Sequence, residues 1–131
     1  MNKARILVVD DNPTNLKLAC DVLEWSGYEV SGAMDAEEAL AIVEGSADQP
    51  PLDLILMDIG LPGMDGLTLT RKLKAAEATR TIRIMALTAF AMKGDEEKVF
   101  EAGCDGYISK PIDTRLLAER VAQCLAKDNK L

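Results

Sequence analysis

The segment Leu54 to Gly66 reads LILMDIGLPGMDG: four large apolar residues, a carboxylate, then a turn rich in glycine. A run suited to burial ends in a group that resists it. Taken alone, Asp58 is explained well enough as a cap for whatever follows. Four further positions change that balance. Asp10-Asp11 follows the apolar run RILVV (5–9), Thr88 closes IRIMALT (82–88), and Lys110 stands in YISKP (107–111). Each is ordinary by itself, since paired aspartates recur by chance, strand-end threonines are mostly structural and lysines mostly solvated. Gathered at one edge, they would be three carboxylates, a hydroxyl and an ammonium. Two carboxylates about 4 Å apart at an effective dielectric of about 20 repel by roughly 4 kcal/mol, against a domain stability of only ~5–15 kcal/mol. A hard divalent cation relieves such crowding. Mg²⁺ suits it, because that ion takes a few carboxylates, a carbonyl and waters and leaves room for phosphate oxygens.

The elements between these residues decide whether they meet. Arg5 to Val9 reads as a β-branched strand, with Asn12-Pro13 behind it as N-cap and first helical residue. Leu16, Ala19, Cys20 and Leu23 then recur at helical spacing from Pro13 to Ser26, and Gly27 supplies a left-handed stop. Tyr28 to Ala33 predicts a second strand, and Asp35-x-x-Glu38 resembles a capping box opening a helix that ends at Gly45. After the polar loop GSADQPP come a strand over Leu52 to Met57, a helix from Leu67 to about Ala76, and a strand over Ile82 to Thr88. A charged helix over Lys93 to Ala102 closes at Gly103, Tyr107 and Ile108 lie on a fifth strand, and Asp113 caps a last helix carrying Leu116, Leu117, Val121 and Cys124. Five apolar strands, each followed by a helix, predict a parallel sheet covered on both faces: a doubly wound α/β three-layer sandwich, (βα)5. In that architecture ligands bind outside the carboxyl ends of the strands, which is where the five polar residues fall.

Composition narrows the function classes. With 131 residues, 48% hydrophobic and 28% charged, the chain suits one domain with a real core. The net charge of −7 and the lack of a basic stripe argue against a nucleic-acid partner. No apolar run approaches the ~20 residues of a membrane span, and MNKARILVVD enters a strand pattern at once, so a cytoplasmic protein is expected. Cys20, Cys104 and Cys124 form no C-x-x-C pair and the sequence has no histidine, which predicts three reduced thiols, with Cys20 and Cys124 in the core.

The combination VVDDN (8–12), LILMDIGLPGMDG (54–66), ALTAF (86–90) and YISKP (107–111) resembles the receiver domain of bacterial two-component response regulators, over essentially the whole chain. Within that family, TAFAMKGDEEK (88–98) and GYISKPI (106–112) look most like single-domain cell-cycle regulators of the DivK type, although similar segments occur in receivers fused to hybrid kinases. The resemblance implies a flavodoxin-like sheet in 2-1-3-4-5 order and a single receiver domain over 1–131, core about 4–126, with no output domain. It makes Asp58 the phosphoacceptor and gives Asp10, Asp11, Asp58 and the backbone carbonyl of Gly60 to Mg²⁺. Lys110 would bind the phosphoryl oxygens, and Thr88 and Tyr107 would act as the switch pair. A cis Lys110-Pro111 bond is implied as well.

The implied function is a signalling switch or phosphorelay intermediate, with self-phosphorylation and autodephosphorylation as its only chemistry. Its partners would be a histidine kinase or histidine phosphotransferase, and a downstream protein on the face of helix four, strand five and helix five. Phe90, Ala91 and Met92 are either core residues or an apolar contact patch beside that face. Two other classes compete. A haloacid-dehalogenase-type phosphatase also uses an aspartyl-phosphate and Mg²⁺, but its nucleophile sits in an Asp-x-Asp pattern on the first strand, whereas Asp10 and Asp11 are adjacent here. A pure interaction scaffold would not need Asp10, Asp11, Asp58, Thr88 and Lys110 together.

Overall fold

Apolar side chains alternate along each strand, and that alternation builds the two halves of the core. The structure, a computed structural model, describes residues 4–45, 52–60, 66–88, 93–110 and 112–126. The GSADQPP loop beyond Gly45, residues 61–65 of the turn, the Phe90 to Met92 patch and the Lys110-Pro111 bond lie outside these residues. In chain order the elements are β1 (Arg5–Val9), α1 (Pro13–Trp25), β2 (Glu29–Ala33), α2 (Ala36–Glu44), β3 (Leu54–Asp58), α3 (Gly66–Ala75), β4 (Arg83–Thr88), α4 (Lys93–Glu101), β5 (Gly106–Ser109) and α5 (Thr114–Ala126). The strands form one parallel sheet in the order β2-β1-β3-β4-β5. This is the doubly wound, flavodoxin-like arrangement that the resemblance implies.

Ile6, Val8, Leu54, Leu56, Met85 and Leu87 pack with Ala19, Val22 and Leu23 of α1 and Leu117, Val121 and Cys124 of α5. Leu7, Val9, Ile55, Met57, Ile84 and Ala86 face the other way, toward α2, α3 and Val99 of α4. Burying a leucine or isoleucine completely contributes roughly 1.5–3 kcal/mol, so strands buried on both faces make the sheet a stiff frame. The helix starts are locally encoded. The Asn12 side chain accepts from the Thr14 and Asn15 amides at 2.9 and 3.1 Å, and Asp113 caps α5 through the amides of Arg115 and Leu116. At α2, Asp35 accepts from the Glu38 amide, while Glu38 reaches back to the Met34 amide, one residue before the capping residue. Gly27 and Gly103 hold φ of 99° and 108° behind α1 and α4, where a side chain would be strained.

Three expectations shift. The third strand runs Leu54–Asp58 rather than Leu52 to Met57, and at its entry Asp53 is already tied to β1, its amide donating to the Arg5 carbonyl at 2.8 Å while its side chain accepts from the Arg5 amide. Leu116 is 38% exposed, since α5 meets the sheet through Leu117, Val121 and Cys124, spaced four and three apart, and Leu116 falls beside that stripe. Cys104, with Cys124, is buried, while Cys20 is only half-buried at the α1 surface; none of the three is in a disulfide.

Candidate functional site

Strand order reverses at β1, which pairs with β2 on one side and β3 on the other. The crevice at that point lies between the carboxyl ends of β1 and β3, where Asp10 and Asp58 stand. Asp10 immediately follows β1, its amide donating to the Ala33 carbonyl at 3.0 Å. Asp58 is the last residue of β3, opposite Leu87 of β4. Parallel strands of matched length bring both residues to one edge. Asp10 is fully buried and Asp58 nearly so, while Asp11, one residue beyond Asp10, is exposed.

Carboxylate oxygens of Asp10, Asp11 and Asp58 lie within 4.8 Å of one another. Lys110, just past β5, is drawn to the same edge because its amide donates to the Thr88 carbonyl at 2.7 Å. Its Nζ then donates to Asp58 Oδ2 at 3.0 Å and pairs with Asp10 Oδ2 at 3.4 Å. The other oxygens are held by the main chain: the Gly60 amide donates to Asp58 Oδ1 and the Asn12 amide to Asp10 Oδ1, each at 2.9 Å. One atom stays unsatisfied. Asp10 Oδ2 is buried without a hydrogen-bond donor.

The electrostatics follow from this crowding. Burial raises the Asp10 carboxyl above its ordinary value, and the neighbouring Asp58 charge pushes the same way; the Asn12 amide and Lys110 oppose them. Burial works to lower the Lys110 ammonium, but the hydrogen bond and charge of Asp58, with the charge of Asp10, outweigh it and the net shift is upward. Among the described residues, one ammonium, that of Lys110, is paired with this set of three carboxyl groups. A buried oxygen lacking a donor, inside an all-oxygen acidic set, is what a hard divalent cation satisfies, so the residues present fit Mg²⁺.

The structure thus brings together Asp10, Asp11, Asp58 and Lys110, with Gly60 touching Asp58 through its amide. Thr88 is buried at the end of β4, across from Ser109 of β5. Tyr107 stands apart on β5, its ring edge-on to Phe100 of α4 with centroids 6.1 Å apart. The Asn12 amide is a participant that sequence reasoning leaves as a capping residue. The signal for it is the Asp-x-Asn spacing from Asp10, which allows a side-chain oxygen to accept from the amide two residues on.

The protein-family model described as the response regulator receiver domain matches residues 6–122. The chain belongs to that family. It is 45% identical over 120 residues, 92% of this chain and 94% of the relative, to the polar-differentiation response regulator DivK of Brucella ovis. Among solved structures, it resembles a CheY-like response regulator receiver domain protein from Methanospirillum hungatei, with a TM-score of 0.86, 33% identity and 98% of each chain covered. The chemotaxis response regulator CheY4 of Vibrio cholerae superposes with a TM-score of 0.84 at 25% identity, over 94% of this chain and 99% of that one. The chain is therefore a receiver domain for DivK-type two-component signalling, and nothing supports the dehalogenase-type alternative. No helix among the described residues is long and apolar enough to cross a membrane.

Proposed function

We propose that Asp58 is the phosphoacceptor of this receiver, taking a phosphoryl group from a histidine kinase or histidine phosphotransferase, and that the chain works as a switch or relay intermediate. The observation that carries this reading is the posture of Asp58: one carboxylate oxygen held by the Gly60 amide, the other on Lys110, beside two further carboxylates at the switch point of the sheet. In the transfer, an Asp58 oxygen forms the new P–O bond as the P–N bond to the donor histidine breaks, and the imidazole keeps the electron pair. Phosphoryl transfer asks the protein mainly for positioning and charge stabilisation, and Lys110 supplies the second by moving its hydrogen bonds to the incoming phosphoryl oxygens. Asp10, Asp11, Asp58 and the Gly60 carbonyl would hold Mg²⁺, which when bound offsets the charge on those oxygens.

Phosphorylation adds acceptors beside Thr88, and its hydroxyl turns toward them as a charge-assisted donor worth roughly 1.5–3 kcal/mol. Tyr107 follows into the space that Thr88 leaves. The readout face is that of α4, β5 and α5, where half-exposed Phe100 touches Tyr107 and Leu116 is exposed. A downstream protein docks there, and the reading places the protein in the cytoplasm, signalling through protein contacts rather than nucleic acid. Acetyl phosphate with Mg²⁺, followed by intact mass, tests the acceptor. A hydroxylamine-labile phosphoryl adduct is expected in the wild-type chain and absent in Asp58→Asn; equal adduct in that variant moves the acceptor elsewhere.

A further inference from the structure

The first residue of α3 has room for no side chain. A Cβ built on Gly66 would lie 2.3 Å from the Asp58 carbonyl oxygen, 2.7 Å from Ile59 Cα and 2.9 Å from the Asp58 carbonyl carbon. All three are main-chain atoms. Among the described glycines this is the tightest approach to main chain: at Gly45 the nearest such atom, the Ala41 carbonyl oxygen, is 3.0 Å away, and the close neighbours of Gly32 and Gly103 are side-chain atoms of Leu16 and Lys74, which can yield. The two sides of the Gly66 contact are also pinned. α3 is anchored by buried Leu69, Thr70 and Leu73, and the Thr70 hydroxyl donates to the Gly66 carbonyl at 2.7 Å. The strand end is tied to β4, the Ile59 amide donating to the Leu87 carbonyl at 3.1 Å, and the Gly66 amide itself donates to the Ile59 carbonyl at 3.3 Å.

We infer that Gly66 is a positioning residue for Asp58: its bare Cα lets the first turn of α3 rest on the Asp58–Ile59 peptide, and that contact sets where the Asp58 carboxylate stands relative to Lys110 and Asp10. The inference rests on Asp58 being the phosphoacceptor. Any side chain at position 66 must displace either a well-packed helix or the peptide that carries the nucleophile. Whatever part of that displacement the Asp58–Ile59 peptide takes up is passed to the carboxylate it carries. A displacement on the order of 1 Å at a reacting group can slow transfer by about 10²-fold.

The test compares wild type, Gly66→Ala and, as a destabilised control on the same helix, Leu73→Ala, all at 10 °C. Two readouts are taken per folded molecule: the initial rate of adduct formation from acetyl phosphate with Mg²⁺, and the ¹H–¹⁵N resonance of the Gly60 amide, which reports its bond to Asp58. Gly66→Ala should lose about 10²-fold in rate and shift the Gly60 resonance while leaving that of Asn12 in place. Leu73→Ala should lower the melting temperature with rate and Gly60 resonance near wild type. Should Gly66→Ala not fold, Thr70→Val, which frees the Gly66 carbonyl from its hydroxyl donor, should shift the Gly60 resonance and slow transfer several-fold. A folded variant at position 66, or Thr70→Val in its place, with an unmoved Gly60 resonance and a rate within twofold of wild type overturns the inference. Wild-type protein that forms no adduct at all overturns the phosphoacceptor reading instead, and the Gly60 resonance separates the two failures.

Discussion

The ammonium of Lys110 lies 3.0 Å from Asp58 Oδ2, across 52 residues of sequence. Asp58 Oδ2 has this ammonium as its hydrogen-bond donor, and Asp10 Oδ2 stands 3.4 Å away as an ion pair without a hydrogen bond. Lys110→Ala therefore leaves crowded carboxylates without a counter-charge. In EDTA the melting temperature should fall, by about 1–2 kcal/mol of stability once the partial exposure of Lys110 is allowed for. Mg²⁺ should then raise it by a larger increment than in wild type. Thermal melts with and without Mg²⁺ check both, and an equal increment in the two proteins would separate Lys110 from the acidic set.

Asp10 is the opposite case, a carboxylate that the fold tolerates rather than needs. Its folded-state pKa is raised, so the folded chain binds its proton more tightly than the unfolded chain does. The penalty is absent below the ordinary carboxylate value of 3.8, grows as pH rises and is complete once the pH passes the raised value. Asp10→Asn keeps an acceptor for the Asn12 amide and removes the charge. In EDTA at pH 7 it should stabilise on the order of 1 kcal/mol, roughly 3–5 °C, with the gain vanishing near pH 3. A melt series across pH reads this directly, and a gain that persists into acid would assign it to something other than the charge.

Mg²⁺ itself should stabilise wild-type protein, because the acidic set exists only in the folded chain. For a site with a dissociation constant near 1 mM, about 10 mM Mg²⁺ adds roughly 1.4 kcal/mol. Asp10→Asn and Asp58→Asn should each lose most of that increment. A melting temperature indifferent to Mg²⁺ would remove the metal from the scheme.

Gly60 is the position where a covering side chain is missing. Its φ is not in the left-handed region, and a Cβ there would sit 3.6 Å from Asp58 Oδ1, an ordinary contact, so neither backbone strain nor space demands glycine. Gly60→Gln should fold, keep its amide bond to Asp58 and shield the phosphoryl group from water. Its aspartyl-phosphate should survive several-fold longer, with Mg²⁺ affinity little changed. Decay of the adduct after removal of acetyl phosphate measures it; decay as fast as wild type would dismiss the access argument.

The thiols should divide by burial. Burial pushes the Cys104 thiol up to about 11, its hydrogen bond to Thr70 working weakly the other way, and Cys124 is buried as well. Cys20 is half-buried and also raised, by burial and then by Glu24 and Asp21. With a disulfide reagent at pH 7.5, one thiol should react slowly in native protein and two only at the rate of unfolding. Mass mapping should place the native reaction at Cys20.

What could be read from the chain is what short-range physics encodes. β1, the starts and ends of α1 and α2 and the start of α5 follow from apolar runs and from caps within three residues, Asn12, Asp35 and Asp113 among them. Asp10, Asp11, Asp58, Thr88 and Lys110 could be singled out because each ends or follows a strand, and parallel strands must deliver their ends to one edge. Nothing so local marks Leu116, which shares the helical spacing of its buried neighbours but sits on the wrong side of the stripe that the sheet selects. The burial of Cys104 is likewise set by what packs over it.

The order of strands and helices along the chain, the doubly wound class and the residue types available at the strand ends are all legible in the amino-acid sequence, because periodicity and capping act over a few residues. Which atoms meet is settled by the packed fold. The hydrogen bond from Lys110 to Asp58, its longer ion pair with the otherwise donorless Asp10 Oδ2, and the close approach of Gly66 to the Asp58–Ile59 peptide depend on strand register and helix placement to within about an ångström. Close packing of distant segments sets distances on that scale, and a one-dimensional pattern carries no such coordinate.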